Sequence, residues 1–90
     1  MHTETNREAA EILALKGLTY LVNSPDDLDR FLAVSGVDAH TLRRSAGEPE
    51  LLAAVMDFLL SQEPLLTRFC QDESLDSKTI HLARRALPGA

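Results

Sequence analysis

The chain has 90 residues and a net charge of −5, with 44% hydrophobic but only 4% aromatic residues. That length suits one hydrophobic core, since domains usually run to about 100–150 residues. The acidic balance argues against a duplex nucleic-acid binder, which needs surplus Lys and Arg to displace counterions. A core drawn from Leu, Ala, Val and Ile with a few Phe favours helices, because Leu and Ala lose little side-chain freedom there.

The opening "MHTETNREAA" is polar and acidic, so no signal peptide is expected, and residues 1–5 read as a disordered tail. A first helix is predicted from Thr5 to Val22. Ala9, Ile12, Leu13, Leu15, Leu18, Leu21 and Val22 recur at spacings of three and four and are assigned to its inner face. Glu4, Arg7, Glu8, Glu11 and Lys16 take the outer side. Gly17 costs about 1 kcal/mol in a helix interior; it marks a close approach by a neighbouring helix or a slight kink.

"NSPDDLDRFLAVSG" predicts a second helix, with Ser24 capping, Pro25 in the first turn, and Asp26 and Asp27 at the positive end of the dipole. Gly36 supplies the left-handed stop. Asp26 stands four residues before Arg30, the favourable order for a helical ion pair. A third helix starts after Asp38, turns Leu42 inward and ends near Gly47. The fourth begins at Pro49 and carries "LLAAVMDFLL", which is apolar almost all round. Such a helix is either central to the core or covered by a partner. Asp57 then faces water, or lies buried beside a cation such as Arg30 or Arg43. At ten residues the run is too short for a bilayer, which needs about 20, so a soluble cytoplasmic protein is expected. Pro64 opens a fifth helix through Phe69 and Cys70, and Asp76 caps a sixth, "SKTIHLARRAL", stopped by Pro88 and Gly89.

Arg30-Phe31 and Arg68-Phe69 lie 38 residues apart, counted from Arg30 to Arg68, a period typical of helical repeats. The same offset sets Leu13 on Leu51, Leu21 on Leu59, Leu28 on Leu66, Asp38 on Asp76 and Thr41 on Thr79. It also sets Tyr20 on Phe58, Leu18 on Met56, Val37 on Leu75 and Leu42 on Ile80. One domain spanning 1–90 is therefore expected, with an internal repeat of 11–46 and 49–84. The fold class that follows is an all-α bundle of about six short helices, in two three-helix units related by a pseudo-twofold axis. Chance likeness between similarly capped amphipathic helices is the alternative. Phe31 and Phe69 should be equivalent core anchors, with Arg30 and Arg68 at the edge of one face, structural or ligand-binding.

Chemistry is thinly provided. Catalysis needs a nucleophile beside a base, or tuned acid–base groups in a cleft. His2 lies in the tail, and neither His40 nor His81 has an acid or Cys at triad or metal spacing. Cys70 is the sole cysteine, read as a buried inert thiol or else as a redox or intermolecular site. No phosphate loop or zinc spacing is present, so no catalytic, cofactor or metal residues are assigned and the chain is expected not to be an enzyme. Two basic clusters are the candidate partner or anion contacts. Lys78, His81 and Arg85 share one helical face, with Arg84 nearby, and His40, Arg43 and Arg44 occupy the equivalent third helix. The bland explanation is that cations favour helix C-termini.

The segments "AAEILALKGLTYL", "LDRFLAVSGVD", "EPELLAAVMDFLLSQEPLLTRFC" and "ARRALPG" together resemble domain of unknown function 3572, a family of small all-helical, typically alphaproteobacterial proteins. The resemblance runs from about Ala9 to Gly89. It implies a single helical, cytoplasmic bacterial domain and no activity that can be carried over. The leading functional expectation is a non-enzymatic helical interaction module, an adaptor or regulatory partner of an unidentified protein, or a homodimer. The alternative is a small nucleic-acid-associated protein using the two basic clusters. No membrane partner is expected.

Overall fold

Six helices follow one another in residues 6–88, the part of the chain that the computed structural model describes. They are α1 (Arg7–Val22), α2 (Pro25–Ser35), α3 (Ala39–Arg44), α4 (Pro49–Ser61), α5 (Glu63–Asp72) and α6 (Ser77–Arg85). No strand occurs among the described residues, and the fold is an all-α bundle measuring 39 × 25 × 19 Å. The tail at 1–5, with His2 and the expected helix start at Thr5, lies outside the described residues. None of the described helices is long and apolar enough to cross a membrane.

Most boundaries follow from local chemistry. The Asn6 side chain accepts from the Ala9 N–H at 2.7 Å, and Asp38 does the same for Thr41 at 2.7 Å. Asp76 accepts from Lys78 N–H at 2.9 Å. Each thereby satisfies a donor that the first helical turn leaves without a partner. Pro25, Pro49 and Pro64 all sit in first turns. Gly36 ends α2 at φ 77°, the left-handed conformation expected of it. Ser24 corrects the reading: it precedes α2, but its hydroxyl makes no capping bond. α3 is also shorter than expected, stopping at Arg44 rather than near Gly47, and α6 stops at Arg85.

The helix apolar on nearly every side is central. α4 packs against α1, α2, α5 and α6, and buries Leu51, Leu52, Ala53, Val55, Met56, Phe58 and Leu59. Each large side chain so removed from water is worth about 1.5–3 kcal/mol before entropy is counted. Phe31 and Phe69 are fully buried, as core anchors should be. A single hydrophobic cluster draws residues from all six helices.

α1 keeps part of the expected facing, with Leu18 and Leu21 buried and Leu13 half-buried, and departs from it elsewhere. Ala10, Ala14, Gly17, Leu18 and Leu21 are buried, whereas Ala9, Ile12, Leu15 and Val22, assigned inward from their spacing, are exposed. The reason is size. α4 presents Val55, Met56 and Leu59, so the helix against it approaches best with small residues. A Cβ placed on Gly17 would lie 2.9 Å from Leu59 Cδ1 and 3.3 Å from Val55 Cγ1. Gly17 is thus a site of close helix approach.

Candidate functional site

α6 gathers the first of the predicted clusters. Lys78, His81 and Arg85 are exposed and line one open depression of about 520 Å³ with Ser77, Leu60, Leu82 and Arg84. Leu82 is 39% exposed and Leu60 is partly buried, so the basic groups surround an apolar floor. The cap at Asp76 starts the helix that spaces them, and Ile80 and Ala83, both fully buried, turn the basic face outward.

Arg84 has a different part. Its Nε donates to Asp57 Oδ1 at 2.6 Å, and its Nη1 donates to the Pro88 carbonyl at 3.0 Å. The Arg84 side chain is 15% exposed and that of Asp57 is 58% exposed. Asp57 therefore faces water, and its cation is Arg84 rather than Arg30 or Arg43. This pair clasps α6 to α4 and fixes one wall of the depression.

The second predicted cluster stays apart. His40, Arg43 and Arg44 are exposed on α3, and none of them lines the α6 depression. A neighbouring hollow of about 310 Å³, lined by Val37, Thr41, Ser45 and Leu51, also contains Glu48 and Glu50. Cys70 is a buried free thiol, whose pKa is pushed up by burial and, less, by the Asp76 carboxylate. Raising it keeps the sulfur protonated and weakly nucleophilic. His81 and Cys70 line different hollows, the second also bounded by Glu63, Thr67 and Gln71. Among the described residues no three His, Cys, Asp or Glu side chains come together in a metal-holding group.

Sequence reasoning missed three features. Asp27, almost fully buried in the first turn of α2, accepts from Arg68 Nη2 at 3.0 Å and meets Arg30 Nη1 at 3.8 Å. The expected Asp26–Arg30 pair is replaced by this bridge, and the guanidinium of Arg68 is held more tightly protonated by its bond to Asp27. The signal was the i, i+3 spacing of Asp27 and Arg30, with Arg68 at the equivalent of Arg30. Second, the Tyr20 hydroxyl donates to Asp72 Oδ2 at 2.6 Å, tying α1 to α5. Third, the exposed side of α1 carries Ile12, Leu15 and Val22, which are 53%, 41% and 51% exposed. Only an assignment of α1 by partner size would have found that stripe.

Fold and site together define a small helical bundle domain with one basic, apolar-floored surface and one apolar helix stripe. The chain belongs to the family described as protein of unknown function (DUF3572), whose sequence pattern matches residues 7–90. Neither the curated proteins nor the solved structures give a significant match.

Proposed function

We propose that this domain is a non-enzymatic, cytoplasmic interaction module of a bacterial protein system, acting as an adaptor or regulatory partner that docks an acidic protein segment on α6. One observation carries the reading: Lys78, His81 and Arg85 stand around Leu60 and Leu82 in a chain whose net charge is −5. A local basic surface on an acidic protein selects acidic partners over the bulk of its own surroundings and speeds their encounter. The apolar floor favours a peptide with an aliphatic anchor over a bare phosphate chain. Arg84, engaged with Asp57, holds the wall in place.

The test is an NMR titration of the 15N-labelled chain with a synthetic peptide alternating Glu and Leu, and in parallel with a single-stranded DNA oligonucleotide. Shifts centred on Ser77–Arg85 and Leu60 with the peptide, lost in the Lys78→Glu/Arg85→Glu variant, support the reading. Absence of peptide shifts there sinks it, as do DNA shifts spanning both α3 and α6, which the nucleic-acid alternative requires.

The scaffold for this surface is read as a doubled three-helix unit, 11–46 and 49–84. Two ring contacts support that reading. Tyr20 meets Phe69 with centroids 5.2 Å apart, and Phe31 meets Phe58 at 5.5 Å, both at 67° between planes. Each joins one unit to the other, and the 38-residue offset exchanges the two pairs. Among the described residues the two positive-φ positions, Gly36 and Ser74, are also equivalent. Gly17 lies against Val55, its own counterpart, where an axis relating the halves would pass. The third helices diverge, since α6 packs on α1 and α4 while α3 packs more lightly, through Leu42.

A further inference from the structure

The apolar residues left outside on α1 follow a coiled-coil rhythm. Ile12, Leu15, Thr19 and Val22 are spaced three, four and three apart, and all four are exposed. These are the intervals of successive a and d positions in a heptad seam. Thr19 fits the seam because its hydroxyl donates to the Leu15 carbonyl at 3.0 Å, leaving its methyl for contact. The opposite face, Ala10, Ala14, Gly17 and Leu21, is already committed to the interior of the domain. On the Lys16 side the seam borders an open hollow of about 370 Å³, lined also by Tyr20, Asn23 and Glu73. That side of the seam is therefore open to solvent and not covered by another helix of the domain.

Flanking charge chooses the occupant. Glu11 immediately precedes Ile12, and Lys16 immediately follows Leu15, which places them at the g and e positions of this register. In a parallel pair a g residue faces the e residue five positions later on its partner, and Glu11 and Lys16 have that separation. Two copies of α1 set side by side in the same direction therefore form two Glu11–Lys16 pairs, one on each side of the seam. The antiparallel arrangement instead brings Lys16 toward Lys16 and Glu11 toward Glu11, which repels. In the single chain Glu11 accepts from Arg7 Nε at 3.2 Å, an exposed pair that association exchanges for the one with Lys16.

We propose that α1 pairs with α1 of a second copy of this chain, in parallel, through Ile12, Leu15, Thr19 and Val22. The surface is distinct from the α6 depression, so a dimer presents two acidic-segment sites at once. The seam is short, so the association it supports is a weak, transient one.

Sedimentation of the full chain across increasing concentration tests it. The mass should rise from 9.9 kDa toward twice that value. Leu15→Glu should return it to monomer with unchanged helical circular dichroism. Lys16→Glu should weaken association, and Glu11→Lys/Lys16→Glu should restore it. Parallel pairing brings each seam residue to its own counterpart, so Ile12→Cys and Thr19→Cys should each form an intermolecular disulfide on mild oxidation. The unsubstituted chain, whose Cys70 is buried, should not. A chain monomeric at millimolar concentration overturns the proposal, and so does crosslinking at only one of the two positions.

Discussion

Tyr20 sets the edge of its ring against Phe69, with centroids 5.2 Å apart and planes inclined at 67°, and so joins α1 to α5 across the bundle. Edge-to-face rings add about 0.5–1.5 kcal/mol to the burial of their area. Phe31 makes the same kind of contact with Phe58. If the two halves are equivalent, Phe31→Leu and Phe69→Leu should each cost about 1–2 kcal/mol, within about 1 kcal/mol of one another. Urea unfolding curves measure this, and a much larger gap between the two speaks against equivalence.

Gly17 offers a sharper test of packing. Replacing it with Ala gains about 1 kcal/mol of helix propensity. The new methyl would stand 2.9 Å from Leu59 Cδ1 and 3.3 Å from the stiff Val55 side chain. Overpacking of that kind costs about 1–3 kcal/mol, so Gly17→Ala should be net destabilising. In a Leu59→Ala background the clash is relieved, and the same change should become neutral or favourable. A double-mutant cycle in denaturant reads the coupling.

Ser74 holds φ 55° where α5 ends, in a turn closed by Leu75 N–H donating to the Cys70 carbonyl at 2.8 Å. A side chain in that left-handed region costs about 1–2 kcal/mol, which glycine avoids. Ser74→Gly should therefore raise the thermal midpoint by several degrees, and Gly36→Ala should lower it comparably. Beyond its two chain neighbours no atom lies within 4 Å of a Cβ at Gly36, so that loss would be conformational rather than steric.

Two groups give the stability a pH signature of opposite sign. Tyr20 keeps its proton more firmly in the folded chain, first because its hydroxyl donates to Asp72, then because of burial and the Asp72 charge. Its contribution is complete below its ordinary value of 10.0 and is lost as pH rises through the higher folded value. Tyr20 is the only tyrosine, so phenolate absorbance reports it alone and should show a midpoint above 10.0. Tyr20→Phe should abolish that part of the alkaline loss. Asp38 behaves conversely. The Thr41 N–H bond holds it below its ordinary 3.8, so its contribution is present above that value and fades as pH falls through the folded one. Asp38→Asn, which can still cap α3, should keep neutral stability and flatten the acid slope.

Punctuation was legible in the sequence and facing was not. Asp38, Asp76, Gly36 and Pro49 act through the backbone within a few residues, so their meaning does not depend on the rest of the molecule. Ser74 escaped because serine carries no mark of the left-handed turn it adopts. α1 was misfaced at Ala9, Ile12, Leu15 and Val22 because Leu, Ile and Ala surround it, and only the bulk of α4 decides which of them go inside. The bond of Asp27 to Arg68 escaped for a similar reason, since the two are distant in sequence. At the candidate site, the α6 residues could be grouped from helical spacing alone. Their separation from the α3 cluster, and the engagement of Arg84 by Asp57, depended on how the helices meet.

The central place of α4 has a consequence for biosynthesis. α1, the longest of the described helices, leaves the ribosome before the other five, but its small-residue face packs mainly on α4 and α6. The nascent chain therefore carries uncovered apolar surface until α6 has been made, and stable folding must wait for α6 to clear the exit tunnel. A stalled chain truncated after α3 would be a natural client for holding chaperones.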